Sequence, residues 1–249
     1  MRNKVLIYKD YGCADVSALE QELRAYFEPR GCEVSFTDAA GIIYRNELNH
    51  NVLAFFMPGG ASTPYRHKLE VLGNQKIRAY VRTGGIYYGI CAGAYYACRR
   101  TIFEKDIPQA RIIEDYKLDL VEAQAVGSLY KELNIAPFSH SPSSSAAVEI
   151  FDENGNSAVV HYHGGPYFEP DKPDNLRILA RYNLEESKPA VILRRYGRGS
   201  VILSGVHFED RGDRLAKTMG EMSETTRKLS AHEASRLAFF QKLMSLSKR

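Results

Sequence analysis

No apolar run in this chain approaches the roughly 18 residues that a membrane span needs. No h-region with a small-residue cleavage site follows Met1-Arg2-Asn3-Lys4; that start leads straight into the strand-like Val5-Leu6-Ile7-Tyr8. Neither a membrane span nor a secretory signal is expected, and the expected location is the cytoplasm. Cysteine is scarce: the 4 thiols are Cys13, Cys32, Cys91 and Cys98, and none forms a CxxC pair. That argues against structural zinc and against a dithiol redox motif, and a reducing compartment would keep all of them as thiols. Charge of one sign is also lacking, since 33 basic residues face 30 acidic ones for a net +3. A nucleic-acid binder usually shows a clustered basic face, so Arg99-Arg100 and Arg194-Arg195 read as solvated edges. There is no internal repeat, and nothing calls for a cofactor.

What is present is the profile of a globular protein, 44% apolar and 25% charged in 249 residues. That length suits one large α/β domain with appended elements. Lys4 to Tyr8, Glu33 to Phe36, Val52 to Met57 and Ile86 to Ile90 read as strands. Between them, Val16, Leu19, Leu23 and Phe27 have helical spacing, stopped by Pro29 and Gly31. Leu69, Leu72, Ile77 and Val81 form a second apolar stripe, ended by Thr83-Gly84-Gly85, and Ala92 to Cys98 can open a third helix. This rhythm predicts a mostly parallel sheet with helices on both faces.

Beyond the loop Ser139 to Ser145 the pattern changes. Short β-like runs follow at Ala147 to Phe151, Ser157 to His163, Leu176 to Tyr182, Ala190 to Arg195 and Ser200 to Ser204. Asn154-Gly155 and Gly197-Arg198-Gly199 supply hairpin turns, so an antiparallel β extension of the sheet is expected. From Arg211 the chain turns charged and helical, with Leu237, Phe239, Phe240, Leu243 and Leu246 near the end. The expected organisation is a domain over 1–210 and a helical extension over 211–249, one or two helices packed on the same domain.

The most informative stretch is Gly89-Ile90-Cys91-Ala92-Gly93, a buried strand running into a G-x-nucleophile-x-G elbow. A nucleophile in a strained strand-to-helix turn needs small neighbours, which Gly89 and Gly93 supply. The following helix points its N-terminus at the thiol and favours the thiolate. An acyl-transfer site also needs oxyanion donors: the backbone N–H of Ala92 is one, and Pro58-Gly59-Gly60, closing an earlier strand, offers the second. For the base, a buried strand ends in Gly205 and is followed at once by His207-x-Glu209. His207 would take the Cys91 proton and Glu209 would orient the imidazole.

These motifs together resemble the class I glutamine amidotransferase superfamily, and more closely the amidotransferase-like N-terminal domain of eukaryotic biotin–protein ligases. The similarity includes Val5 to Gly12, Pro58-Gly59-Gly60-Ala61 with Pro64-Tyr65, and Gly89 to Tyr96. It continues through Tyr162-His163-Gly164-Gly165, Phe168, Asp174-Asn175 and Ile178-Leu179-Ala180 to Gly197-Arg198-Gly199 and Ser204 to His207. The resemblance implies a flavodoxin-like sheet and a Cys91–His207–Glu209 triad. Phe208 stands where many amidotransferases carry proline, and Ala92 where the deglycase and protease-like branch carries histidine. No stretch resembles the biotin- and ATP-binding core of the ligases, so a complete biotin ligase is not expected. The expectation is a stand-alone thiol-dependent hydrolase or amidotransferase-like protein acting on a small amide or acyl substrate. The alternative is a sensing or regulatory module that docks on a protein partner such as a biotin ligase.

Other residues carry weaker signals. His161 and His163 share one strand face, but no third ligand stands at a telling spacing, so no metal is expected; His163, beside Gly164-Gly165, instead lines the substrate cleft. Tyr87, Tyr88, Tyr95 and Tyr96 read as packing residues, with Tyr95 or Tyr96 at the cleft. Cys98 and Cys13 read as structural.

Overall fold

Side chains alternate across a strand, and the first strand shows the consequence. Along β1 (Lys4–Tyr8), Val5 and Ile7 enter one hydrophobic core while Leu6 and Tyr8 enter another on the opposite face. A computed structural model describes residues 2–115, 118–172, 176–219 and 223–247. In it, β1, β2 (Glu33–Thr37), β3 (Val52–Met57), β4 (Ile86–Ile90) and β13 (Gly199–Ser204) form a parallel array in the order β2-β1-β3-β4-β13. That is the flavodoxin-like order, whose ligands bind at the C-terminal strand ends. The sheet continues antiparallel through β12 (Pro189–Tyr196), β11 (Arg177–Tyr182), β8 (Ala146–Asp152) and β9 (Ser157–Tyr162), nine strands in all. The β8–β9 turn carries Gly155 at φ 82°, and the tight β12–β13 turn carries Gly197 at φ 60°. Asp174-Asn175, one of the stretches behind the family resemblance, lies outside the described residues.

Helices cover both faces. α1 (Ser17–Phe27) buries Leu19 and Leu23 on one side. On the other lie α2 (Ala39–Ile43), α3 (Ser62–Arg82) and α4 (Ala92–Ala97). α3 begins seven residues before the expected Leu69 and kinks at Glu70. The kink alters the apolar stripe: Leu69, Ile77 and Val81 are buried as expected, but Leu72 is exposed and Gly73 and Asn74 are buried in its place.

Two features differ from the sequence expectation. Cys98 does not end a helix; it opens β5 (Cys98–Phe103). With β6 (Ile112–Asp115), β7 (Val121–Gly127) and β10 (Tyr167–Pro170) it forms a second, four-stranded sheet in the order β10-β7-β5-β6. Along β7 Val121, Ala123 and Ala125 face the core while Glu122 and Gln124 face outward, so small alanines stand where a stronger strand signal would need large residues. Among its described residues the C-terminal segment holds three helices, where one or two were expected: α5 (Gly212–Met219), α6 (Glu224–Ala231) and α7 (Glu233–Ser245). Phe239, Phe240, Leu243 and Met244 of α7 join the core beneath α1, each worth about 1.5–3 kcal/mol when fully buried. The basic pairs are matched by acids: Arg99 bonds Asp171 at 2.8 Å and Arg194 bonds Glu122 at 2.9 Å. Among the described residues no helix is long and apolar enough to cross a membrane.

Candidate active site

Three neighbouring parallel strands deliver three turns to one edge of the sheet. β3 ends in Pro58-Gly59-Gly60, β4 in Cys91, and β13 in Gly205-Val206-His207. Cys91 adopts φ 47° and ψ −105°, a region that costs a side-chain-bearing residue strain and recurs at functional sites. The surroundings hold it there. Its N–H donates to the Ser204 carbonyl at 2.9 Å, and its carbonyl accepts from the Ala94 and Tyr95 N–H groups, each at 3.0 Å. The flanking glycines are steric necessities: a Cβ on Gly93 would lie 2.1 Å from the Met57 carbonyl oxygen, and one on Gly89 would lie 2.6 Å from that of Gly93. α4 is only six residues long, so its influence at Cys91 comes from the N–H groups of its first turn rather than from a long macrodipole.

The first helical residue has no intrahelical carbonyl to bond, and among the described residues neither the Ala92 nor the Gly60 N–H is donated to a protein acceptor. Gly93 differs from both, because its N–H donates to the Pro58 carbonyl at 3.1 Å. Gly59 leaves the gap in which the His207 ring stands beside Cys91: a Cβ there would lie 2.8 Å from His207 Cε1 and 3.7 Å from Cys91 Cβ. Gly60, at φ 135°, lets the turn press on the Gly12 carbonyl.

Cys91 is 8% exposed. Its thiol donates to the His163 carbonyl oxygen at 3.6 Å, and the His207 imidazole stands beside it around the space at Gly59. His207 Nδ1 donates to Glu209 Oε1 at 2.8 Å. Burial alone would push His207 toward the neutral form; the Glu209 charge and hydrogen bond, with the neighbouring Cys91, outweigh it and hold its pKa well above the usual 6.5.

A second histidine–carboxylate pair, not read from the sequence, lies beside the first. His161, at the end of β9, donates from Nδ1 to Asp210 Oδ2 at 2.6 Å, and its ring centre is 5.6 Å from that of His207. The His207 N–H donates to the His161 carbonyl at 2.8 Å, tying the strand ends together. Burial would raise the Asp210 pKa, but the His161 bond and charge prevail and lower it. Among the described residues, His161 Nε2 and Glu209 Oε2 are buried without a protein partner. His207, Glu209 and Asp210 offer donor atoms within 4.8 Å of one another, an arrangement that could take a metal ion. The strand-face pair His161 and His163 is arranged otherwise. His163 Nε2 donates to the Ser139 carbonyl at 2.8 Å and lies 3.1 Å from Ser144 Oγ. Burial, reinforced by His161 and His207, pushes the His163 pKa down to about 4, so its imidazole is neutral at pH 7.

The remaining cysteines and tyrosines sort clearly. Burial raises the pKa of Cys98 and Cys13. Tyr87 donates to the Gly93 carbonyl at 2.9 Å, and Tyr88 to that of Leu243 in α7 at 2.9 Å. Tyr95, not Tyr96, lines a pocket beside Cys91.

The C-terminal helices also reach the site. Arg236 of α7 is 1% exposed and donates to the carbonyl of Phe208, the residue between His207 and Glu209, at 2.7 Å. The same guanidinium meets Glu233 at 2.6 Å and Glu22 at 3.3 Å. Arg214, Leu215 and Lys217 of α5 wall a cavity of about 490 Å³ on the His207 side.

The family model described as Biotin-protein ligase, N terminal, matches residues 3–248. An uncharacterized protein of Chlamydia muridarum is 33% identical over 213 residues, 83% of this chain and 80% of that protein. The biotin–protein ligase of Schizosaccharomyces pombe is 26% identical over 214 residues, 82% of this chain but 33% of the ligase, so this chain spans about a third of the ligase's length. Among solved structures, a glutamine amidotransferase of Thermotoga maritima superposes with a TM-score of 0.56 at 12% identity, over 99% of this chain and 98% of that one. At that identity the likeness is one of fold.

Proposed function

This chain belongs to the biotin–protein ligase N-terminal family, and from that premise and the strand-end geometry we propose that it is a thiol-dependent hydrolase or amidotransferase-like enzyme acting on an amide or acyl substrate. The observation that carries the reading is the placement of Cys91 beside His207 around Gly59, with His207 bonded to Glu209, at the ends of the paired strands β4 and β13. His207 takes the thiol proton, and Cys91 Sγ attacks the substrate carbonyl carbon. The Ala92 and Gly60 N–H groups receive the developing oxyanion. The C–S bond forms as the C–N or C–O bond breaks, and the imidazolium returns its proton to the leaving amine or alcohol. Water, activated by the same imidazole, then cleaves the thioester to the acid and the free thiol. Glu209 stabilises the imidazolium throughout. A reducing compartment such as the cytoplasm suits a site that needs Cys91 as a thiol, and all four cysteines are free.

The test is the pH dependence of Cys91 alkylation by iodoacetamide, read by peptide mass spectrometry in wild type and His207→Ala. Fast labelling well below the ordinary thiol pKa of about 8.5, lost without His207, is the expected result. Labelling no faster than that of Cys13 and indifferent to His207 would overturn it.

A second reading rests on a different observation. The yeast ligase carries the matching segment as a third of a longer chain, which favours a sensing or regulatory module that docks on a partner such as a biotin ligase. Co-purification of a biotin ligase with both wild type and Cys91→Ala, without turnover of any amide or ester, would select it.

A further inference from the structure

Taking Cys91 as the nucleophile, the walls around it bear on what it attacks. Two cavities flank the elbow, and they differ in chemistry. The larger, on the His207 side, is lined with ionisable groups including Asp15, His161, Asp210, Arg214 and Lys217. The smaller, about 120 Å³, is lined by Cys91 itself and walled by Tyr95, Phe103, Ile112 and Phe138. No Asp, Glu, Lys, Arg or His lines it among the described residues. Two of its polar groups already have partners: the Tyr95 hydroxyl donates to the Gly164 carbonyl and the Thr101 hydroxyl to the Tyr95 carbonyl, both at 3.1 Å. Burial also pushes the Tyr95 pKa well up, so its ring stays uncharged.

The placement of the reacting groups decides which cavity takes which part of the substrate. Gly60 and Ala92, whose N–H groups would hold the oxyanion, border the apolar pocket; Gly59 and His207 border the polar cavity. A carbonyl with its oxygen on the first pair and its leaving group toward His207, the proton donor, directs its acyl chain into the apolar pocket. An amino-acid-like acyl chain would bring an ammonium and a carboxylate into walls that hold no counter-charge, which is strongly disfavoured. We infer that Cys91 acts on the amide or ester of a compact apolar acid, a short aliphatic chain or one small ring, joined to a polar amine or alcohol held on the His207 side. An apolar cavity of about 150 Å³ holds one benzene-sized molecule, so a pocket somewhat smaller takes an acyl group of up to about six carbons. The step is ordinary acyl transfer: the C–S bond replaces the C–N or C–O bond, the leaving group departs with the His207 proton, and water releases the acid.

The experiment measures acylation of the intact protein by p-nitrophenyl esters from acetyl to octanoyl, read as the p-nitrophenolate burst with Cys91 acylation confirmed by mass spectrometry. Butyryl and γ-glutamyl p-nitroanilides are compared alongside, and iodoacetamide alkylation reports the thiol alone. The expected profile rises about fourfold per methylene as the chain fills the pocket, then falls beyond hexanoyl. The γ-glutamyl compound reacts at least about 100-fold more slowly than the butyryl one, and Phe138→Ala moves the optimum to longer chains. A His207-dependent, fast-alkylating Cys91 with a flat chain-length profile, or with a preference for the γ-glutamyl compound, would overturn the acyl-pocket inference and leave the nucleophile standing. An ordinary, unreactive thiol would overturn both.

Discussion

The two histidine–carboxylate pairs share one cavity yet arise from different halves of the sheet. His207–Glu209 extends the last parallel strand, β13, whereas His161 stands at the end of β9 on the antiparallel side and borrows Asp210 from the loop after β13. Each imidazole binds its carboxylate through Nδ1 at hydrogen-bond distance. What separates them is the other face of the ring. His207 meets a thiol through the gap left by Gly59, and His161 has no protein partner at Nε2 among the described residues. Two histidine–carboxylate pairs of similar geometry thus differ in what the backbone places opposite them.

Cys91→Ala should remove turnover by about 10⁴-fold or more, since a missing nucleophile leaves only binding and oxyanion contributions; steady-state hydrolysis of a reactive ester measures it, and residual turnover within about tenfold of wild type would sink the mechanism. Next, Glu209→Gln should cost about 10³-fold and Asp210→Asn only about tenfold, because the first pair touches the thiol and the second positions its neighbour through the His161 carbonyl. Equal losses in the two variants would dissolve the distinction between the pairs.

Arg236→Met tests whether the helical tail supports the first pair. Removing a buried guanidinium leaves Glu22, Glu233 and the Phe208 carbonyl without their donor. The expected cost is about 3 kcal/mol, or roughly 6–12 °C in Tm for a chain of this size, with His207-dependent alkylation weakened alongside. A Tm within about 2 °C of wild type would detach the tail from the site.

The subtlest effect is one of sign. The folded pKa of His207 lies above its unfolded value of about 6.5, so its stabilisation is fully present below pH 6.5 and is lost as pH rises through the folded value. Asp210 runs the other way: its lowered pKa stabilises above about pH 3.8 and that contribution is lost as pH falls through the folded value. Thermal melts of wild type and Glu209→Gln should therefore differ most below about pH 6.5 and converge as pH rises through the folded pKa of His207. A gap that widens with rising pH would contradict the charged pair.

Much of the site was legible before the structure because each motif is short and sterically forced. Gly89 and Gly93 around Cys91 are small because carbonyls of Gly93 and Met57 occupy the space of a Cβ, and that demand shows as a pattern within five residues. His207 and Glu209 were readable because both lie at the end of one strongly apolar strand. The second sheet was not legible: β5 carries Arg99 and Arg100 outward and β7 buries alanines, so periodicity is present but apolar contrast is weak. His161–Asp210, 49 residues apart, and Arg236–Phe208, 28 apart, leave no local spacing to detect.

The parallel strands, the elbow, the glycine turns and the chain neighbours of Cys91 follow from the sequence alone, because steric exclusion and strand alternation act over a few residues. Only the tertiary structure decided which histidine meets Cys91, which walls are apolar, and that the C-terminal helices brace the His207–Glu209 turn. Those outcomes depend on elements far apart in the chain packing against one another, and contact across such separations is set by the topology of the sheet rather than by any local pattern.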